Sequence, residues 1–263
     1  MQNPGSFLSA MRAETPLVHN ITNYVAMNVM ANVLLAIGAS PAMVHAREEA
    51  AEFAALAQAL TVNIGTADPD WGVAMQDAAA VMNEVGRPWV FDPVGVAATR
   101  FRQDLSAKLL DLKPTVVRGN ASEILALAGL GGAARGVDAG DSVDAAEDAA
   151  RALAGHTGGI VAISGPFDFV TDGTRAARVA NGHPMMGRIT VMGCSLNGVI
   201  AAFCAGQPGF EATVAALAAY GVAGEAAGRK AQGPGSFQVA FLDALHDLTP
   251  EVLDAAARIE VVA

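Results

Sequence analysis

The sequence predicts an α/β fold, a mostly parallel central sheet flanked by helices, with an antiparallel hairpin at one edge. Three observations lead there. Short apolar runs alternate with stretches of helical periodicity from residue 42 to residue 164. Two of the runs lead to an acid beyond a strand exit: 88–91 leads into Asp92-Pro93-Val94-Gly95-Val96, and 114–117 into Arg118-Gly119-Asn120-Ala121-Ser122-Glu123. The pattern then changes at 165–182, where Asp172-Gly173 separates two strand-like runs as a hairpin turn does.

Taken in order, the polar run His19-Asn20-Ile21-Thr22-Asn23 precedes a helix with apolar spacing at Val25, Val29, Val33 and Ala36, which Thr22 or Asn23 can cap. Strands are expected at 42–45, 60–64, 88–91, 115–117 and 159–164, with helices at 48–58, 70–85 and 141–154 between them. Such alternation builds βαβ units and parallel pairing. The hairpin strands fall at 169–171 and 177–180, and from Cys194 onward the chain reads as helix until 258–262, which returns as a strand or trails off. The segment 129–140, with Gly131, Gly132 and Gly136, reads as a flexible loop. No repeat is visible, and motifs on both sides of that loop must share one site, so a single domain over 1–263 is expected.

Composition narrows the function. The chain is 52% hydrophobic and 16% charged, against roughly 25% charged in an average domain, so subunit contacts would cover part of its surface; a general bias toward alanine explains the same figures. A net charge of −10 repels nucleic acid and anionic membranes. No signal segment opens the sequence and no uninterrupted apolar run reaches about 20 residues, which points to a cytoplasmic protein with reduced thiols. Cys194 and Cys204 lie ten apart on one expected helix, roughly 15 Å along its axis, too far to pair.

Ligands of open α/β sheets sit outside the carboxyl ends of the strands. Asp92, Arg118 and Glu123 can therefore converge there with the segment Thr190-Val191-Met192-Gly193-Cys194-Ser195, which opens a helix. This is a site for phosphate, metal and a nucleophilic hydroxyl. Asp92 can reach a hydrated Mg²⁺ or simply end its strand in a turn with Pro93 and Gly95. Glu123 fits a metal shell and equally a capping box with Asn120. Arg118 can fork onto phosphate oxygens or form a structural ion pair. A thiol at a helix start, as at Cys194, is expected to have its pKa lowered, beside backbone N–H groups that can hold an anion; a small buried hydrophobe is the other reading, and the one Cys204 takes. His19 has no partner at metal-ligand spacing. A Gly-x-Gly-x-x-Gly fingerprint after a first strand is missing, which argues against a dinucleotide oxidoreductase.

Seven stretches carry a resemblance: 18–25 (Val-His-Asn-Ile-Thr-Asn-Tyr-Val), 38–43 (Gly-Ala-Ser-Pro-Ala-Met), Asn63-Ile64-Gly65-Thr66, Asp92-Pro93-Val94-Gly95, Arg118-Gly119-Asn120, Gly193-Cys194 and Gly233-Pro234-Gly235-Ser236-Phe237. In this order they resemble the hydroxyethylthiazole kinases, thiamin-salvage members of the ribokinase-like family. The resemblance implies ATP- and Mg²⁺-dependent phosphorylation of the hydroxyl of 4-methyl-5-(2-hydroxyethyl)thiazole by a homotrimer with sites near subunit interfaces. It implies Asp92 and Glu123 as metal carboxylates, Arg118 and Ser164 as ATP contacts, Met43 as a thiazole contact and Gly193 as part of an anion hole. Cys194 would stand where ribokinase-like enzymes usually carry an aspartate base, acting partly by position. The chain departs from the family's Gly-x-Gly-Cys in Val191, and from its usual glycine in Ala97. A β-branched residue at a position of positive φ is costly, so either the loop rearranges or the thiazole pocket is reshaped. Two alternatives follow: a kinase for another small alcohol such as hydroxymethylpyrimidine, or a thiazole- or nucleotide-binding protein without transfer activity.

Overall fold

The computed structural model describes residues 3–131 and 143–262. The chain enters through helix α1 (Pro4–Glu14), strand β1 (Leu17–Ile21), α2 (Met27–Ile37), β2 (Ser40–Met43), α3 (Ala50–Leu56) and β3 (Ala59–Asn63). It continues with α4 (Pro69–Glu84), β4 (Trp89–Asp92), α5 (Arg100–Asp111), β5 (Val116–Asn120), α6 (Ala121–Leu130), α7 (Val143–Thr157) and β6 (Ile160–Ser164). The hairpin β7 (Asp168–Thr171) and β8 (Ala176–Val179) follows, then α8 (Met192–Cys204), α9 (Gly209–Lys230), α10 (Pro234–Asp247), α11 (Pro250–Ala256) and β9 (Ile259–Val262).

Among the described residues one sheet runs in the order β2-β1-β3-β4-β5-β6-β7-β8-β9. β1 through β6 pair in parallel, and β6 to β9 pair antiparallel. The chain steps outward from β1 to β2 and then returns to β3, so the strand order reverses between β1 and β3, the place where ligands of such sheets collect.

Alternation along each strand decides what each face buries. One face, carrying Val18, Ala59, Val90, Val116 and Ala162, packs under α2, α8 and α9. The other, carrying Ile21, Leu60, Val62, Phe91, Val117 and Ile163, packs under α3 to α7. Phe91 is fully buried there and contributes roughly 1.5–3 kcal/mol by leaving water. Helix starts follow local chemistry: Asp68 accepts from the Trp71 N–H with Pro69 at the first position of α4, and Thr99 accepts from the Arg102 N–H to open α5.

Several expectations change. β1 was not expected as a strand, because His19 and Asn20 break its apolar pattern; both are buried, Asn20 bonded to Thr61 and to the Val18 and Ala42 carbonyls, and His19 bonded through Nε2 to the Val44 carbonyl while its Nδ1 has no partner. The helix after Asn23 starts only at Met27, leaving Val25 exposed, and Asn23 Oδ1 accepts from the Ala26 N–H in the turn before it. The antiparallel hairpin is not the sheet's edge, because the stretch 258–262 does return as a strand and β9 covers β8. The expected loop at 129–140 begins as the end of α6 with its C-cap at Gly131, and 132–140 lie outside the described residues.

Candidate active site

The face that buries Val90 and Val116 turns polar at the carboxyl ends of its strands. Two residues on from Thr61, Val90 and Val116, the same alternation brings Asn63, Asp92 and Arg118 to that face, and Ser164 ends β6 beside them. Asn63 and Asp92 are register partners, and Asn63 Nδ2 donates to Asp92 Oδ2 at 2.6 Å. Helix α8 lies across this end. From it Asn197 Nδ2 donates to the same Oδ2 at 2.6 Å, while Asn63 Nδ2 and Asn23 Nδ2 approach Cys194 Sγ at 3.3 and 3.4 Å.

Burial raises the Asp92 carboxyl to about 7, against the opposing pull of the Arg118 charge and of its two amide donors. Its second oxygen, Oδ1, is buried without a partner, as is Asn197 Oδ1. One orphaned carboxylate oxygen and one orphaned amide oxygen on a neighbouring side chain fit a hydrated cation, which takes one or two carboxylates and keeps several waters. Glu123 does close the capping box: Oε2 accepts from the Asn120 N–H while Asn120 Oδ1 accepts from the Glu123 N–H. Glu123 Oε1 also accepts from the Gly95 N–H at 3.0 Å, so the residue fixes the loop that follows Asp92. Among the described residues no group of three or more His, Cys, Asp and Glu is placed to hold a metal ion by itself.

Arg118 is buried, donates from Nη2 to Ser164 Oγ, and forms no ion pair among the described residues. Its guanidinium lies against Gly193, in the first turn of α8, where helix N–H groups have no intrahelical acceptor. A cation and a helix N-terminus thus share one spot, suited to phosphate oxygens. Both line a cavity of about 610 Å³, which is lined as well by the segment from Asn181 to Ile189. Asp168 also borders it; burial raises its carboxyl to about 6.

The thiol expectation is corrected. Cys194 does sit in the first turn of α8, but burial and the neighbouring Asp92 charge push it up to about 11, outweighing Asn23, Arg118 and Asn63, which pull it down. In the loop before it Val191 takes the left-handed conformation, φ 75° and ψ −9°, at the N-cap of α8. Met43 ends β2 at the same end of the sheet, but β1 and β3 separate it from Asp92, and its side chain is only half-buried against the core.

Sequence reasoning gave no role to Asn63, Asn197 or Arg102. Arg102 donates to the Val94 carbonyl at 2.6 Å and to the Gly65 carbonyl at 2.5 Å, clamping the loops after β3 and β4 together. Gly95 makes room for it, with φ 61° and a hydrogen where a Cβ would meet Arg102 Nη1 at 2.7 Å. The signals for these residues were the stretch 63–66, in which Asn63 carries part of the resemblance, and, for Arg102 and Asn197, a position early in a helix.

The fold is the ribokinase-like one, shared with solved small-molecule kinases. Pyridoxal kinase from Staphylococcus aureus shares the fold, with a TM-score of 0.66 over 94% of this chain and 98% of its own at 17% identity. The model of the hydroxyethylthiazole kinase family matches residues 8–251. Hydroxyethylthiazole kinase of Cereibacter sphaeroides is 62% identical over 260 residues, 99% of each chain. The solved hydroxyethylthiazole kinase protein from Pyrococcus horikoshii OT3 superposes with a TM-score of 0.93 at 40% identity, covering 100% of both chains. The chain belongs to the hydroxyethylthiazole kinase family.

Proposed function

We propose that this protein transfers the γ-phosphoryl group of ATP to the hydroxyl of 4-methyl-5-(2-hydroxyethyl)thiazole, within thiamin salvage. The observation that carries the reading is the meeting of Arg118 and the Gly193 start of α8 in the lining of a cavity of about 610 Å³, with the partnerless Oδ1 of Asp92 on a buried carboxyl that feels the Arg118 charge. Arg118 and Ser164 hold the phosphates of ATP, and the N–H groups of the first turn of α8 receive the charge that develops on the moving group. Asp92, with Glu123 beside it, would hold Mg²⁺, which when bound neutralises phosphate charge. Met43 lies against the thiazole.

A thiol raised to about 11 is protonated at neutral pH, so Cys194 orients the hydroxyl and does not take its proton. A loose phosphoryl transition state places little demand on a base, and positioning and charge do most of the work. A single catalytic domain, a homotrimer and a cytoplasmic location complete the proposal. Exposed Tyr24, Val25, Leu35 and Leu56 and the low charge content support subunit contacts; no described helix is long and apolar enough to cross a membrane.

The test is ADP release from ATP and Mg²⁺, with and without the thiazole alcohol and with hydroxymethylpyrimidine in parallel. Thiazole-dependent release supports the proposal. Stimulation by the pyrimidine alone would move the substrate, and thermal stabilisation by thiazole without ADP release would leave a binding protein.

A further inference from the structure

One wall of the cavity is built from a segment that pairs with little of the sheet. After β8 the chain runs through Asn181, Gly182, His183 and a single 3-10 turn at Pro184–Arg188 before reaching Val191. What fixes this wall lies outside the site described above. Glu225, on α9, accepts from the Gly182 N–H at 3.0 Å and from Asn181 Nδ2 at 3.2 Å. Arg258, just before β9, donates to both oxygens of Glu225, to the Ala180 carbonyl and, through its backbone N–H, to Asn181 Oδ1 at 2.7 Å. Asn181 Nδ2 also donates to the Ala256 carbonyl at 3.0 Å.

Helix α9 is shaped to receive the same segment. A Cβ on Gly221 would lie 2.6 Å from the Asn181 Cβ and carbonyl oxygen, one on Gly224 2.4 Å from Met186 Sδ, and one on Gly228 2.4 Å from the His183 ring. His183 in turn stacks on Phe237 of α10 at 5.8 Å between ring centroids. The wall is therefore pressed onto α9 through three glycines and tied there by one carboxylate.

We propose that Glu225 is a positioning residue for the nucleotide. Through Asn181, Gly182 and Arg258 it sets the distance between the 181–189 wall and the Arg118–Gly193 end of the cavity, and so sets nucleotide affinity while the transfer chemistry stays unchanged. The proposal rests on the reading of this cavity as the ATP site. Glu225 touches neither phosphate nor alcohol; it acts through the wall. Charge-assisted hydrogen bonds of this kind contribute more than neutral ones, so their loss is large enough to read in affinity.

The experiment measures ADP binding by calorimetry and the steady-state constants of full-length wild type, Glu225→Gln, Gly221→Ala and Arg118→Met. Glu225→Gln is expected to raise the ADP dissociation constant and the KM for ATP roughly tenfold, with kcat and the KM for thiazole alcohol within about twofold. Gly221→Ala pushes on the Asn181 backbone directly and should reproduce that split, so the proposal stays testable if Glu225→Gln folds poorly. Arg118→Met separates the two levels. If it weakens ADP binding while both wall variants leave it unchanged, the cavity holds nucleotide and the role of Glu225 is refuted. If none of the three affects ADP binding, the reading of the cavity fails and the proposal with it. Equal losses in affinity for both substrates and in kcat would show a general folding role and also overturn it.

Discussion

Gly193 and Arg118 are packed so closely that a Cβ on Gly193 would stand 2.7 Å from Nη1 of the guanidinium. Glycine here is a requirement of contact, since Gly193 lies inside the helical turn that opens α8. The Gly193→Ala variant should push Arg118 off Ser164 and away from the first turn of α8. ATP affinity is expected to fall roughly tenfold or more, the worth of one or two charge-assisted hydrogen bonds, with little change in melting temperature. Titration of ADP into the variant checks this; wild-type affinity would show that Arg118 does not serve the phosphates.

Asp92 couples function and stability in opposite senses. Its folded pKa, raised to about 7, exceeds the ordinary value of 3.8, so the folded protein keeps this proton longer than the unfolded chain does. Its contribution to stability is then full below about pH 4 and is lost as pH rises to about 7. In Asp92→Asn that loss disappears. Measured in the presence of a chelator, the melting temperature of Asp92→Asn relative to wild type should climb by several degrees between about pH 5 and pH 8, while kcat falls by roughly 10²–10³. A difference in melting temperature that stays flat with pH would show that the carboxyl is ionised in the fold throughout.

The residues that were legible are those whose chemistry is visible without a partner. Asp92, Arg118 and Ser164 each end an apolar run, and the sheet does bring them to one face and one end. Val191 in place of the family glycine marked the loop as changed but not which conformation it takes, and its left-handed backbone is visible only in the structure. Asn63 and Asn197 were not legible: an amide has no chemical signature until the carboxylate it donates to is placed, and that placement is tertiary. The Cys194 thiol was misread because a helix start was weighed alone, whereas burial and the Asp92 charge act in the opposite direction and prevail. β1 escaped because Asn20 finds its partner only across strands, in Thr61 at 2.9 Å.

Cys194 offers a chemical test of that correction. A thiol at about 11 reacts slowly with iodoacetamide near neutral pH, and its alkylation rate should keep climbing past pH 9 without a plateau. An inflection below pH 8 would restore the lowered pKa and a role as base. Replacement by serine separates the roles further. Loss of a general base costs about 10²–10⁴ in rate, whereas a group that only orients the hydroxyl, as Asn23 and Asn63 orient Cys194 itself, should leave Cys194→Ser within roughly tenfold of wild type.

Val191 combines two effects that a single substitution would confuse. Its φ of 75° is strained for a β-branched residue, yet its side chain is buried at the cavity beside Gly193, so removing it relieves strain and loses packing together. Comparing Val191→Gly with Val191→Ala cancels most of the packing loss, because both lose the isopropyl group, while only glycine relaxes the backbone. In an ordinary helix or strand, glycine is less stable than alanine by roughly 0.5–1 kcal/mol. At residue 191 the order should reverse, with Val191→Gly the more stable by about 1 kcal/mol, or about 2–4 °C in melting temperature. Alanine melting above glycine would mean that residue 191 does not hold a left-handed conformation in solution. The Gly-x-Gly-Cys loop would then have rearranged around its valine, and the cavity at the start of α8 would have a different shape.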